Sequence, residues 1–266
     1  MAGKPDREYV EARRVLLDAL VSLAPHAEAL VLVGAQAVYL HVGEGDLAVA
    51  PYTKDGDLVI RPTELGDAPL LEEALRDAGF AATEQPGIWT RNDVELDLLV
   101  PEAVGGKGRR GARLGVHGNR VARKVKGLEG ALVDSSVMEL GSLDDDPRRL
   151  RVRVAGPAAL LVSKLHKIGE REDPPDRLAD KDALDIFRLL RGIDTASLVK
   201  SIRRLEDQDV SRAVTGEALE LLLHLFGAPG AKGVEMVVRA TEGLEDPATI
   251  RASCVALASE LLEAIG

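Results

Sequence analysis

Two short apolar segments carry acidic residues spaced two apart, and this spacing constrains the fold more than any other feature of the chain. The first segment spans residues 53–60 and contains Asp55 and Asp57. The second comes later and contains Glu95 and Asp97. Side chains two positions apart on a β-strand point to the same face of a sheet. We therefore predict two strands that each present a pair of carboxylates.

Carboxylates gathered on neighbouring strands repel one another unless a positive charge lies between them, and a divalent cation is the usual solution. We predict that Asp55, Asp57 and Asp97 bind Mg²⁺ at a site for phosphoryl or nucleotidyl transfer. Glu95 is the alternative to Asp97, which we favour because it lies deeper in its apolar run. A plain surface turn is the competing interpretation of the acidic residues around Gly56.

An apolar run at residues 30–33 is followed by Gly34 and by a segment, residues 35–41, with a helical pattern. A glycine between a strand and a helix lets a ligand approach the backbone and reach the N-terminus of the helix. This arrangement indicates that a ligand can approach the backbone near Gly34.

Composition limits the class of protein. The chain has 266 residues, 45% of them apolar and 29% charged, with a net charge of −10. It is long enough for a substantial core, and its acidity argues against a general nucleic-acid coat protein. Cys254 is the single cysteine, and the sequence has no apolar run long enough to span a membrane. We expect a cytoplasmic protein with no disulfide and no membrane partner.

Residues 105–127 form a basic segment within this acidic chain. The segment contains seven glycines and no acidic residue. Its basic residues are Lys107, Arg109, Arg110, Arg113, Arg120, Arg123, Lys124 and Lys126. A solvated loop is the plain interpretation. Contact with RNA or with a triphosphate is the functional one, because glycines and cations together suit phosphate groups.

The periodicity predicts an α+β (mixed α/β) chain with a small mixed sheet followed by helices. We place a catalytic domain at residues 1–155 and a helical C-terminal domain at 156–266. The predicted strands are 30–33, 57–61, 80–83, 88–91, 94–100 and 150–154. The predicted helices are 6–23, 35–41, 67–79, 157–170, 179–191, 195–206, 215–226, 231–241 and 247–264.

Two charged residues fall on the apolar stripes of neighbouring predicted helices. Lys164 has Leu160 four residues before it and Ile168 four residues after it. Asp182 precedes Ile186 at the same spacing. A lysine on an apolar stripe either extends to solvent or meets an anion. We expect a buried pair of Lys164 and Asp182 that also places an ammonium group near a triphosphate.

Taken together, these motifs resemble the DNA polymerase β-like nucleotidyltransferase superfamily. The matching pattern is a strand and a Gly-containing turn, a [Ser/Thr]-x-Asp-x-Asp motif and a third Asp on a later strand. In the second half, the sequences Lys164-Leu165-His166-Lys167 and Lys181-Asp182-Ala183-Leu184-Asp185 look like helices of the AbiEii/AbiGii toxin family. The resemblance covers residues 28–191. Two positions depart from the family pattern, namely Ala35 in the turn and Pro51 before Thr53.

The resemblance implies that Asp55, Asp57 and Asp97 bind metal and that Asp97 can also serve as general base. It implies that Gly34, Ala35, Thr53 and Lys164 contact the nucleotide and that Asp182 orients Lys164. The implied activity is transfer of NMP from an NTP to an acceptor, with Mg²⁺ as cofactor.

Members of the family are toxins of toxin–antitoxin or phage-defence systems, and some modify tRNA 3′ ends. The implied partners are therefore an NTP, tRNA or other RNA through residues 105–127, and a cognate antitoxin. Two alternatives stay open. One is a nucleotidyltransferase for small, antibiotic-type molecules, and the other is a degenerate nucleotide-binding or antitoxin-interaction module.

Overall fold

The structure is a computed structural model that describes residues 6–43, 49–108, 110–170 and 177–266. For residues 177–179 only the backbone is described. Arg109, which we counted in the basic segment, lies outside the described residues. No helix among the described residues has the length and apolarity that crossing a membrane requires.

One mixed sheet gathers the strands of the N-terminal half, as predicted for the fold class. The strands are β1 (Leu30–Val33), β2 (Asp55–Ile60), β3 (Ala81–Ala82), β4 (Ile88–Arg91), β5 (Val94–Pro101), β6 (Arg123–Val125), β7 (Ser135–Gly141) and β8 (Arg149–Ala155). Their order across the sheet is β3-β4-β5-β2-β1-β8-β7, and β6 pairs with the end of β5. β1 lies in the middle, which explains why all four of its residues are apolar and buried.

The register of the central strands brings the acidic residues together. β1 and β2 are antiparallel, so that Val33 is opposite Asp57. β2 and β5 are parallel, and here Asp57 is opposite Asp97 while Asp55 is opposite Glu95. Because the two acidic pairs have the same two-residue period, a single register aligns both of them.

Helices cover the sheet and form the C-terminal half. They are α1 (Arg7–Ser22), α2 (Gly34–Val42), α3 (Leu71–Asp77), α4 (Pro157–Gly169), α5 (Arg177–Gly192), α6 (Thr195–Glu206), α7 (Asp209–Phe226), α8 (Lys232–Ala240) and α9 (Pro247–Ile265). α1 packs on β2 and β5, and α2 packs against both α4 and α5. The site therefore lies where the sheet meets the first two helices of the C-terminal half.

Several predicted boundaries were wrong. The helix predicted over 67–79 begins only at Leu71, because Pro69 lacks the backbone N–H that a helix interior needs. The helix predicted over 215–226 is the second half of α7, which continues through Gly216. The strand predicted over 57–61 begins two residues earlier, at Asp55.

β6 and β7 were not predicted. β7 is an edge strand whose middle residues Ser136 and Val137 are exposed, so it lacks the apolar alternation that marks a half-buried strand. β6 lies within the basic segment, where charged residues hide the strand pattern. The basic segment is thus partly a strand on the sheet and not only a loop.

The hydrophobic core is continuous across the predicted domain boundary. β8 ends at Ala155 and α4 begins at Pro157, so the change from strands to helices occurs at the predicted place. One buried cluster nevertheless includes Val31 and Leu98 of the sheet together with Leu161 and Phe187 of the helices. The two halves therefore share a core, and the helices hold the rear wall of the site against the sheet.

Candidate functional site

Asp55, Asp57 and Asp97 line one cavity, with a volume of about 380 Å³, between the sheet and α4. We call it the carboxylate cavity. All three side chains are half-buried. Glu95, the alternative to Asp97, is exposed and is not among the residues that line this cavity.

Gly34 approaches the carboxylate of Asp57 so closely that no larger residue fits. A Cβ atom built on Gly34 would overlap the Asp57 carboxylate and lie 2.8 Å from its Cγ. Gly34 also has a φ of 69°, a conformation that favours glycine. It is the first residue of α2, so its bare backbone and the N-terminus of the helix face the cavity.

The three carboxylates of the cavity, Asp55, Asp57 and Asp97, lie close enough to repel one another. Burial raises the pKa of Asp57 to about 7, and the nearby charges of Asp55 and Asp97 add to the rise. Burial also raises the pKa of Asp97, although the Arg123 guanidinium opposes that shift. Carboxylates whose pKa values are raised by one another's charge favour the arrival of a cation.

A series of hydrogen bonds holds the side chain and the backbone of Asp55 in position. Thr53 is buried, and its hydroxyl donates to Asp55 Oδ1. Gln36 Nε2 donates to the backbone oxygen of Asp55 at 2.8 Å, and Arg13 Nε in turn donates to Gln36 Oε1 at 2.7 Å. Thr53 thus contacts the carboxylate and does not line the cavity. Ala35, also predicted to bind the nucleotide, does not line it either.

Lys164 and Asp182 form the buried pair that the helix pattern predicted. Lys164 Nζ lies 2.7 Å from Asp182 Oδ1 and 2.8 Å from Asp185 Oδ2, and Lys164 is only 4% exposed. Burial alone would lower the pKa of Lys164, but the two carboxylates outweigh it and hold that pKa well above its usual value. Two carboxylates therefore already engage the ammonium group that the resemblance assigns to the triphosphate.

Lys167 lies one helical turn after Lys164 and also faces the carboxylate cavity. Its Nζ is 3.3 Å from Asp182 Oδ1, and its side chain is 47% exposed. The Lys167 ammonium group therefore contacts the buried Asp182 on one side and is accessible to a ligand on the other. The sequence analysis did not single it out, although it stands three residues after Lys164, a spacing that shares a helix face.

Most cations of the basic segment that the structure describes are engaged within the protein. Lys126 pairs with Glu217, and Lys124 Nζ donates to the carbonyl oxygens of Gly106 and Gly108. Arg120 donates to the carbonyl oxygen of Glu84. The exceptions within the described part of the segment are three exposed residues with no ion pair, namely Lys107, Arg110 and Arg113.

Arg123, the remaining basic residue, points into the carboxylate cavity. Its Nη2 donates to Asp97 Oδ2 at 2.5 Å. Arg123 reaches Asp97 from β6, where its backbone is opposite Leu99 of β5. From the sequence we had predicted only that Arg123 belongs to the basic segment, and not that it contacts Asp97.

The residues of the carboxylate cavity fit a cation that arrives with phosphate groups. In the parts of the chain that are described, no group of three or more His, Cys, Asp or Glu side chains is arranged to hold a metal ion alone. Mg²⁺ commonly takes one or two carboxylates and completes its shell with water and substrate phosphates. Asp97 Oδ1 is buried without a hydrogen-bond partner, which is the condition expected of an oxygen that awaits such a ligand.

Comparison with known proteins adds no family. No protein-family model matches the chain, and a search of the curated proteins finds no match. The resemblance stated above therefore depends on the sequence motifs alone.

Proposed function

We propose that the protein is a Mg²⁺-dependent nucleotidyltransferase that transfers NMP from an NTP to an acceptor hydroxyl. The observation that carries this proposal is the convergence of Asp55, Asp57 and Asp97 with Gly34 on one cavity. A surface turn, the plain interpretation of the acidic motif, does not explain half-buried carboxylates of which two, Asp55 and Asp97, raise the pKa of the third, Asp57. A cation site for polyphosphate does explain them.

Asp55 and Asp57 would hold the cation, with Asp97 beside them. When bound, Mg²⁺ would neutralise charge on the phosphates as the bond to the leaving pyrophosphate lengthens. In the reaction the acceptor oxygen bonds to the α-phosphorus, and the bond from that phosphorus to the β-phosphate oxygen breaks. We assign the Asp97 carboxylate the role of receiving the proton of the acceptor hydroxyl.

The triphosphate would lie against Gly34 and Lys167. The N-terminus of α2 presents backbone N–H groups and a partial positive charge to an anion. Lys167 supplies a cation with open access, whereas Lys164 is held by two aspartates. We assign Lys164 the role of a positioning residue that fixes Asp182, and through it Lys167.

RNA is the acceptor that we propose, and a tRNA 3′ end is the form that the resemblance suggests. Lys107, Arg110 and Arg113 are exposed and form no ion pair with the described residues, and they lie in the same segment as Arg123 of the cavity. Exposed cations suit a phosphate backbone. The corresponding biological role is that of a toxin in a toxin–antitoxin or phage-defence system, with an antitoxin as partner.

The test is to incubate the protein with total RNA, Mg²⁺ and each of four NTPs labelled at the α-phosphate. We expect labelled RNA that ribonuclease destroys, and no label with an Asp55→Ala/Asp57→Ala variant. A labelled product of low mass that resists ribonuclease would point to a small-molecule acceptor. Absence of product with every NTP, or equal labelling by the variant, would contradict the proposal.

A matched pair of triple variants tests whether the exposed cations of the basic segment bind RNA. The triple variant K107Q/R110Q/R113Q removes three positive charges from the basic segment. The variant R76Q/R149Q/R212Q removes the same charge from exposed sites elsewhere on the protein. We expect only the first to weaken RNA binding and to reduce its salt dependence. Equal effects of the two variants would exclude a specific RNA surface on residues 105–127.

A further inference from the structure

We infer that Arg123 is an internal counter-ion that pairs with Asp97 in the ligand-free protein and moves to the phosphates when cation and triphosphate bind. The inference deepens the proposed function and depends on it. Arg123 would regulate occupation of the site by making the cation bind poorly until a polyphosphate arrives with it.

The pair of Arg123 and Asp97 does not use all of its hydrogen-bonding atoms. It has one hydrogen bond, from Arg123 Nη2 to Asp97 Oδ2. Arg123 Nε and Asp97 Oδ1 are both buried and have no hydrogen-bond partner. Arginine and carboxylate commonly form two parallel hydrogen bonds, which would satisfy both atoms. If Arg123 and Asp97 formed a purely structural ion pair, we would expect it to have both of these hydrogen bonds.

The Arg123 side chain is accessible from the cavity. It is 33% exposed, whereas that of Asp97 is 14% exposed. The guanidinium can therefore leave the carboxylate without breaking the core around it. It keeps its charge at every ordinary pH, so only a competing cation removes its electrostatic hold on Asp97.

The other cations of the cavity contact different carboxylates. Lys164 is bound between two buried aspartates, and Lys126 pairs with Glu217. Lys167 is half-exposed and lies beside Asp182. Arg123 is the guanidinium that contacts a proposed cation ligand directly. A guanidinium suits phosphate oxygens as well as carboxylates, so transfer between the two exchanges one good partner for another.

The experiment measures binding of Mn²⁺ alone, and then of inorganic triphosphate at saturating Mn²⁺, by titration calorimetry. With Arg123→Gln we expect Mn²⁺ alone to bind roughly tenfold tighter and triphosphate to bind roughly tenfold weaker. These opposite signs are the signature of a guanidinium that changes partner. Arg120→Gln, which removes the same charge outside the cavity, should change neither affinity.

Arg123→Met keeps the apolar stem and replaces the first variant if Arg123→Gln does not fold. Weakening of both affinities, or no change in either, would overturn the role of Arg123. The proposed function has a separate control, because Asp57→Asn should abolish Mn²⁺ binding. If Mn²⁺ binding is unaffected by Asp57→Asn, the cation site itself is wrong. If it depends on Asp57 but not on Arg123, only the present inference fails.

Discussion

At the residue scale, the site depends on the absence of a side chain at Gly34. The strand register places Val33 opposite Asp57, so the next residue must pass directly beside the Asp57 carboxylate. Glycine alone allows this approach and the φ of 69° that begins α2.

Gly34→Ala should therefore abolish Mn²⁺ binding and lower the free energy of unfolding by more than about 2 kcal/mol, from backbone strain and overlap together. Gly43→Ala is the matched control. Gly43 ends the same helix with a φ of 64°, but a Cβ atom there would meet no atom of the described residues within 4 Å. We expect that variant to lose about 1–3 kcal/mol through backbone strain alone and to keep its affinity for Mn²⁺. Equal loss of affinity in both variants would contradict this account of Gly34.

The pKa of Asp57 predicts an unusual dependence of stability on pH. Its ordinary pKa of 3.8, expected in the unfolded chain, rises to about 7 in the folded protein. Between these pH values the folded state holds a proton that the unfolded state has lost. The metal-free protein should therefore lose stability as pH rises, with the loss beginning near the lower value and complete above the higher one.

Asp57→Asn removes this titration. Urea denaturation without metal should show that the variant gains stability over the parent protein, by about 1 kcal/mol or more in going from about pH 5 to about pH 8. Because Asp57 and Asp97 titrate together, the difference between the two proteins reports the titration of the pair that depends on Asp57. Parallel stability curves for the two proteins would show that Asp57 is not held near the other carboxylates.

The acidic motif and Gly34 could be recognised from the sequence because each has a local signature. The two-residue period fixes the face of a strand, and a glycine after an apolar run marks a turn. Gln36, Asp185 and the contact of Arg123 with Asp97 have no such signature. Their partners are set by packing between segments far apart in the chain.

At the element scale, α4 lines the site and packs against α5, and the contact between the two helices is polar as well as apolar. Lys164 of α4 lies between Asp182 and Asp185 of α5 in a buried environment. The helix periodicity was enough to predict both helices and the inward position of Lys164. Periodicity did not show that a second aspartate, one turn further along α5, would complete the cluster.

Two lysines one turn apart on α4 should therefore separate stability from binding. Lys164→Met removes the nearest cation from two buried aspartates, whose other cations lie 3.3 Å away, and should cost about 3–5 kcal/mol of stability. Lys167→Met removes a half-exposed charge and should cost about 0.5 kcal/mol or less, yet weaken triphosphate binding roughly tenfold. Urea denaturation and calorimetry measure the two effects. The account would be contradicted if Lys167→Met bound triphosphate normally.

At the scale of the whole molecule, one continuous core joins the sheet to the C-terminal helices. The sequence shows where strands give way to helices, at residue 155, but this boundary does not reveal whether the halves fold separately. Burial of Leu161 and Phe187 in the same cluster as Val31 indicates that they do not. The cavity needs both halves, since the carboxylates come from one and Lys167 from the other.

Unfolding should therefore be a single cooperative transition. Trp89, the one tryptophan of the chain, is buried on β4 and reports on the sheet, whereas far-ultraviolet circular dichroism reports mainly on the helices. The two signals should follow the same curve in urea. Separate midpoints would show that the two halves unfold independently.

Transfer of the α-phosphate group is the most direct test of the central claim. The protein is incubated with RNA, Mg²⁺ and an NTP labelled either at the α-phosphate or at the γ-phosphate. We predict that the α label joins the RNA and that the γ label leaves as pyrophosphate. Asp57→Asn should abolish both events, whereas Asp93→Asn, the same change at an exposed turn, should leave them intact. Transfer of the γ label to the RNA, or α-label transfer that survives Asp57→Asn, would contradict the claim.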